Sequence, residues 1–274
     1  MALPIPHVLS HVTEICNAET RQALELFESL VTRLEPCVKR ELRFNNTVAL
    51  EFPQIVASYL LGSLQRVRVT SWGAITSLNA TNELLFVMAV RSMLESAANV
   101  AYLRAGVERC YGAETTRKEL TYLALRMKFA TRSPEDRGLS DREASLISSI
   151  NVLTTIKALD RFAIKRLAFT SENPMTKWYE RLCEFSHPNS LGNSMGSDLD
   201  YSGGVETFEV DPGVRPAVLG LFVNYLYVAL YAFCLLYNEC WQMLNDASEA
   251  LPTWEPLGSP IIALEWVACH CVRA

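Results

Sequence analysis

Apolar residues recur along this chain at helical spacing. Leu24, Phe27, Val31 and Leu34 keep a 3.6-residue period, and Pro36 predicts the end of that helix. Pro53 predicts the start of a second helix, running through Ile55, Tyr59 and Leu64. A third is expected from near Thr81 to about Arg104, and Leu120, Leu123 and Met127 mark a fourth. Thr131 to Gly138 reads as a turn by composition. Ser140 and Glu143 then have capping-box spacing, with Ile147, Ile150 and Leu153 following on one face. Three later helices are predicted from a capping residue followed by proline: Asn173-Pro174, Asp211-Pro212 and Ser259-Pro260. Proline suits the first helical position because its φ is preset and its missing amide would have no partner there.

One region breaks the helical pattern. Residues 187–211 hold Pro188, Gly192, Gly196, Gly203 and Gly204 among Asn, Ser and Asp, and only Val205 to Val210 alternates enough for a short strand. No fixed-period repeat and no composition shift marks a domain boundary. The expected architecture is a single all-α domain over 1–274, a multi-helix bundle with a long irregular loop before its last long helix, at 212–247.

Composition narrows the class. With 274 residues, half of them hydrophobic, and 12 Gly and 12 Pro, the chain can bury a full core and is neither disordered nor fibrous. The stretch from Pro216 to Asn238 carries no charge and is long enough to cross a bilayer. Asn224 sits inside it, as do Tyr225, Tyr227 and Tyr231, which a membrane-spanning helix would place at its ends. A buried central helix, or one half-buried in a dimer, is therefore expected, with no membrane partner. No basic-then-apolar leader opens the chain, and its eight cysteines are scattered without a CxxC pair, so a cytoplasmic protein with reduced cysteines is expected. Cys269, His270 and Cys271, with His7 or His11, make only a weak metal-binding pattern, and no metal or cofactor is expected.

Charge is uneven. The net charge is −5, yet from Arg117 to Arg166 there are 11 Lys/Arg against 6 Asp/Glu. That local balance is compatible with an anionic partner, and equally with a solvated helix surface.

Two constellations can carry chemistry. Between Leu84 and Leu103 the only charges are Arg91 and Glu95, four apart and so on one helical face, with Asn99 on the same stripe and Ser92 and Ser96 beside it. The pair can order a core or form the polar floor of a site. The second is the helix from Pro174 to Ser186, whose core face is Met175, Trp178, Leu182 and Phe185, and which ends at His187-Pro188-Asn189. His187 can cap the last carbonyls or act in proton transfer, because histidine exchanges protons near neutral pH. Arg181 and His187 lie about 120° apart around an ideal helix, so they converge only if the chain bends at Ser186 or a second subunit supplies one of them. P-loop, GxGxxG, GxSxG and HExxH patterns are absent.

Arg181, five residues, then His187 at a helix end resembles the HEPN superfamily, whose motif is Arg, four to six residues, His. Leu84 to Leu103, together with the segment WYERLCEFSHPNS, is also similar to a bacterial helical family of unassigned function placed near HEPN proteins. The likeness lies within about 81–190. It implies a helical domain that dimerises, with two Arg/His motifs meeting in a cleft, and a metal-independent ribonuclease of toxin–antitoxin or antiviral systems. RNA and an antitoxin or effector protein would be its partners. In that reading His187 is the general acid or base, Arg181 stabilises phosphate and Glu95 assists, supported by Arg91, Asn99, Ser186 and Asn189. Leu182 stands where such proteins often carry a polar residue after the Arg. The alternative is a helical interaction protein that keeps the motif only as structure.

Overall fold

The computed structural model describes residues 5–38, 54–112, 116–129, 148–187, 197–200, 203, 205–208, 215–248 and 262. Eight α-helices dominate the described residues: α1 (Ser10–Glu14), α2 (Ala18–Leu34), α3 (Gln54–Asn79), α4 (Glu83–Tyr111), α5 (Arg117–Phe129), α6 (Val152–Arg166), α7 (Pro174–Ser186) and α8 (Pro216–Ser248). The protein is an all-α multi-helix bundle. A 3₁₀ turn, Glu35–Cys37, closes α2 around Pro36. Within the region expected to be irregular, β1 (Ser197–Asp200) pairs antiparallel with β2 (Val205–Phe208), Ser197 opposite Phe208 and Asp200 opposite Val205.

Asparagines start three of the helices. Asn17, Asn82 and Asn151 each turn a side-chain oxygen onto an early amide, of Thr20 at 2.8 Å, Leu85 at 3.0 Å and Leu153 at 2.8 Å. Each satisfies a donor that the helix itself leaves unpaired. One of these caps corrects an expected boundary: Ser148 to Asn151 is not helical, so Ile150 precedes α6 instead of lying on its face. The helix expected from near Thr81 starts at Glu83, after Thr81 adopts a positive φ of 54° and Asn82 caps, and it runs on past Arg104 to Tyr111. The Ser140/Glu143 box and the Ser259-Pro260 pair lie outside the described residues.

The longest helix begins at Pro216; the Asp211-Pro212 pair expected to start it lies outside the described residues. Arg215 stands just before it, and its amide and guanidinium both bond the carboxylate of Glu83, the first residue of α4. That anchor sets the entry of α8 beside the entry of α4. Further along, Arg104 of α4 meets Glu239 of α8 at 2.7 Å, so the two helices run parallel. Helix α7 runs the other way against α8: Trp178 stacks on Tyr225 at 4.1 Å, and Phe185 meets Phe222 edge-on at 5.0 Å.

The core is the seam between α4 and α8, and α4 also packs against α3, α5, α6 and α7. Phe86, Val90, Met93, Phe222, Leu226 and Phe233 are fully buried there. Each such side chain contributes roughly 1.5–3 kcal/mol through its removal from water. Both central helices are long and apolar enough to cross a membrane, but 78% of the most apolar window of α8 is buried against its neighbours. That burial accounts for its composition as a core helix.

Candidate functional site

Helix α7 reaches the site because a buried acid holds its start. Asp160, on α6, is 3% exposed. Its carboxylate accepts the amides of Met175 at 2.7 Å and Thr176 at 3.2 Å, and the Thr176 hydroxyl at 2.5 Å. Asn173 was the expected cap, but it sits in the left-handed region with φ of 50° and its side chain caps nothing. Pro174 does take the first helical position, as expected. An acid from a neighbouring helix thus replaces the local cap, and favours the positive end of the α7 dipole.

At the other end of α7, Arg91 of α4 gathers the partners. Its Nε donates to Glu95 Oε1 at 3.1 Å, one Nη to Ser186 Oγ at 2.9 Å and the other to the Tyr179 hydroxyl at 3.1 Å. The guanidinium also lies 5.2 Å from the Tyr179 ring centre. Ser186 in turn donates to the carbonyl of Leu182 at 2.7 Å. Burial works against the charge on Arg91, but the bond to Tyr179 and the nearness of Cys183 and Glu95 outweigh it and raise its pKa above the ordinary guanidinium value. Burial also raises the pKa of the Tyr179 phenol, and the Glu95 charge adds to the effect while Arg91 opposes it. Arg91 therefore stays charged and Tyr179 stays a neutral phenol.

Three of the expected site residues, Arg91, Glu95 and Ser186, meet in this network. Tyr179 joins them unanticipated. Its signal was spacing: it stands seven residues before Ser186, two turns back on the same face of α7. Asn99 lies one turn beyond Glu95, half-buried, and joins none of these bonds. Asn189 lies outside the described residues.

His187 directly follows the anchored Ser186. It is exposed, its backbone has left the helix with φ of −95° and ψ of 152°, and its amide still bonds Cys183 O at 3.0 Å. The chain thus bends where Pro188 implied it should. Arg181 is exposed on the opposite side of α7 from Tyr179 and Ser186, about 200° around the helix from Tyr179, on the side where its charge acts on Tyr225. Glu95 and Arg181 therefore sit on different sides of α7 within one chain.

A further ionic group lies at the far end of the α4–α8 seam from Glu83 and Arg215. Glu239 takes both Arg104 and Arg166, at 2.7 and 2.5 Å, tying α4, α6 and α8 together. Among the described residues no three His, Cys, Asp or Glu side chains gather as metal ligands. Compared with protein-family models, curated proteins and solved structures, the chain gives no significant match.

Proposed function

We propose that the protein is a metal-independent endoribonuclease of a bacterial toxin–antitoxin or antiviral defence system, acting at His187 and Arg181. One observation carries this reading: an exposed histidine follows immediately on a serine that Arg91 ties to the helix bearing Glu95. A proton-transfer group thus sits at the mouth of a fixed polar network. In the reaction the RNA 2′-hydroxyl attacks the adjacent phosphorus and the bond to the 5′-oxygen breaks. His187 takes the 2′-proton or gives one to the departing 5′-oxygen. Arg181, which is exposed, pairs with phosphate oxygens and offsets the charge of the phosphorane. Glu95 acts indirectly, holding Arg91 so that Ser186 and His187 stay in place.

Arg181 points away from Glu95, so a cleft that holds Arg181, His187 and Glu95 together is completed by a second copy of the chain. Cytoplasmic localisation and an antitoxin or effector partner belong to the same proposal. A second reading, a helical interaction protein without activity, is favoured by one specific observation: each of the three guanidinium nitrogens of Arg91 already donates a hydrogen bond within the chain.

The test uses end-labelled RNA in EDTA with wild type, His187→Ala and Arg181→Ala. Cleavage by wild type that both variants abolish supports the ribonuclease. Equal cleavage by all three overturns the assignment of His187 and Arg181, and no cleavage by wild type supports the interaction protein.

A further inference from the structure

Helix α6 carries its basic residues in one exposed row. Lys157, Arg161 and Lys165 are spaced by one helical turn and a little more, so they lie on one face, about 6 Å apart along the axis. All three are exposed, and among the described residues none forms a hydrogen bond or ion pair. The helix has a single acid, Asp160, and the fold has removed it from the surface: it is buried and bonded to the start of α7. The usual alternation of charges on a solvated helix is therefore missing here, and the face is purely cationic. Arg166, next in sequence, is instead neutralised by Glu239. The row lies on the helix that packs beside α7, whose end bears His187.

We infer that Lys157, Arg161 and Lys165 form a track for the phosphate backbone of single-stranded RNA. This rests on the ribonuclease reading for the choice of RNA. Three point charges repeating at single-turn intervals suit a ligand whose own charges repeat along a chain. Leu153 and Ile164 flank the row and are about half exposed, but two isolated apolar side chains on a helix whose other face is in the core give little to insert into lipid. The whole protein is acidic, so this row is a local exception that would select where RNA lies and not coat the surface.

The experiment measures binding of a fluorescent single-stranded RNA in EDTA across a salt series. It compares wild type with the triple variant Lys157→Gln/Arg161→Gln/Lys165→Gln. Cleavage is followed separately on the same RNA. The inference expects the triple variant to bind at least ten-fold more weakly, with the slope of log affinity against log salt reduced by about 2, since each lost phosphate contact on a single strand removes roughly 0.7. A triple variant that binds like wild type overturns the track, even where wild type cleaves RNA at His187. Binding through the row without cleavage keeps the track and removes the ribonuclease reading. Binding of anionic phospholipid vesicles in place of RNA, lost in the triple variant, overturns the RNA assignment.

Discussion

Arg91 and Ser186 are 95 residues apart in sequence and joined by a 2.9 Å hydrogen bond. That bond ties α4 to the last residue of α7 and sets the point from which His187 leaves the helix. Losing it should loosen that point. Arg91→Ala also strips Glu95 and Tyr179 of their partner, so it is expected to cost about 2–3 kcal/mol. Ser186→Ala should cost roughly 1 kcal/mol. Their double variant should cost less than the sum, with a coupling of at least 0.5 kcal/mol. Urea unfolding of the four proteins measures this; strict additivity would mean that the two side chains do not act together.

Asp160 holds the start of α7 through three bonds from a buried position. Asp160→Ala leaves the buried Met175 amide and the half-buried Thr176 amide without an acceptor and is expected to destabilise by about 2–3 kcal/mol. Asp160→Asn keeps one acceptor oxygen and should cost less. Thermal unfolding ranks the variants, and hydrogen exchange at Met175 and Thr176 should rise in both.

Gly62 and Gly73 lie inside α3, and a Cβ at either would meet nothing within 4 Å. Replacing a helical glycine by alanine then removes backbone freedom from the unfolded chain without a clash. Gly62→Ala and Gly73→Ala should each stabilise by roughly 0.5–1 kcal/mol. Gly106 offers the contrast: a Cβ there would stand 2.6 Å from the Leu123 side chain, and Leu123 would have to move. Gly106→Ala should gain less than either, which denaturation midpoints will show.

Alkaline pH reads out the contact between α4 and the end of α8. Burial, aided by Cys110 and Asp246, pushes the Tyr111 phenol up to about 12 from its ordinary value of 10. The folded chain therefore holds this proton after the unfolded chain has lost it. The contribution to stability is complete below pH 10 and is lost as pH rises toward 12. Tyr111→Phe should flatten that part of the stability curve, although it also removes the hydrogen bond to the Met243 carbonyl. An unchanged slope between pH 10 and 12 would show that the hydroxyl is not held as described.

Helical periodicity made most of this fold legible. The 3.6-residue row of α2 reflects burial on one face, and prolines at Pro36 and Pro174 marked a stop and a start for local steric reasons. What was not legible came from partners far away in sequence. Nothing near Asn173 reveals that Asp160 will take over its capping role, and nothing near Pro216 reveals that Glu83 will anchor Arg215 at the start of α8. In the site, the i, i+4 spacing of Arg91 and Glu95 foretold their pairing. Their meeting with Tyr179 and Ser186 depends on α7 running antiparallel to α8 across α4, which no local pattern encodes. The outward direction of Arg181 follows from the same register.

The proposed ribonuclease is tested most directly by the ends of the RNA it leaves. Attack by the 2′-hydroxyl releases one fragment ending in a 2′,3′-cyclic phosphate and another beginning with a 5′-hydroxyl. Purified protein incubated with a defined RNA in EDTA, with fragments read by mass spectrometry, should give those two ends from wild type and intact RNA from His187→Ala. Fragments carrying a 5′-phosphate and a 3′-hydroxyl, or identical products from His187→Ala, would contradict the assignment of His187 and of the reaction.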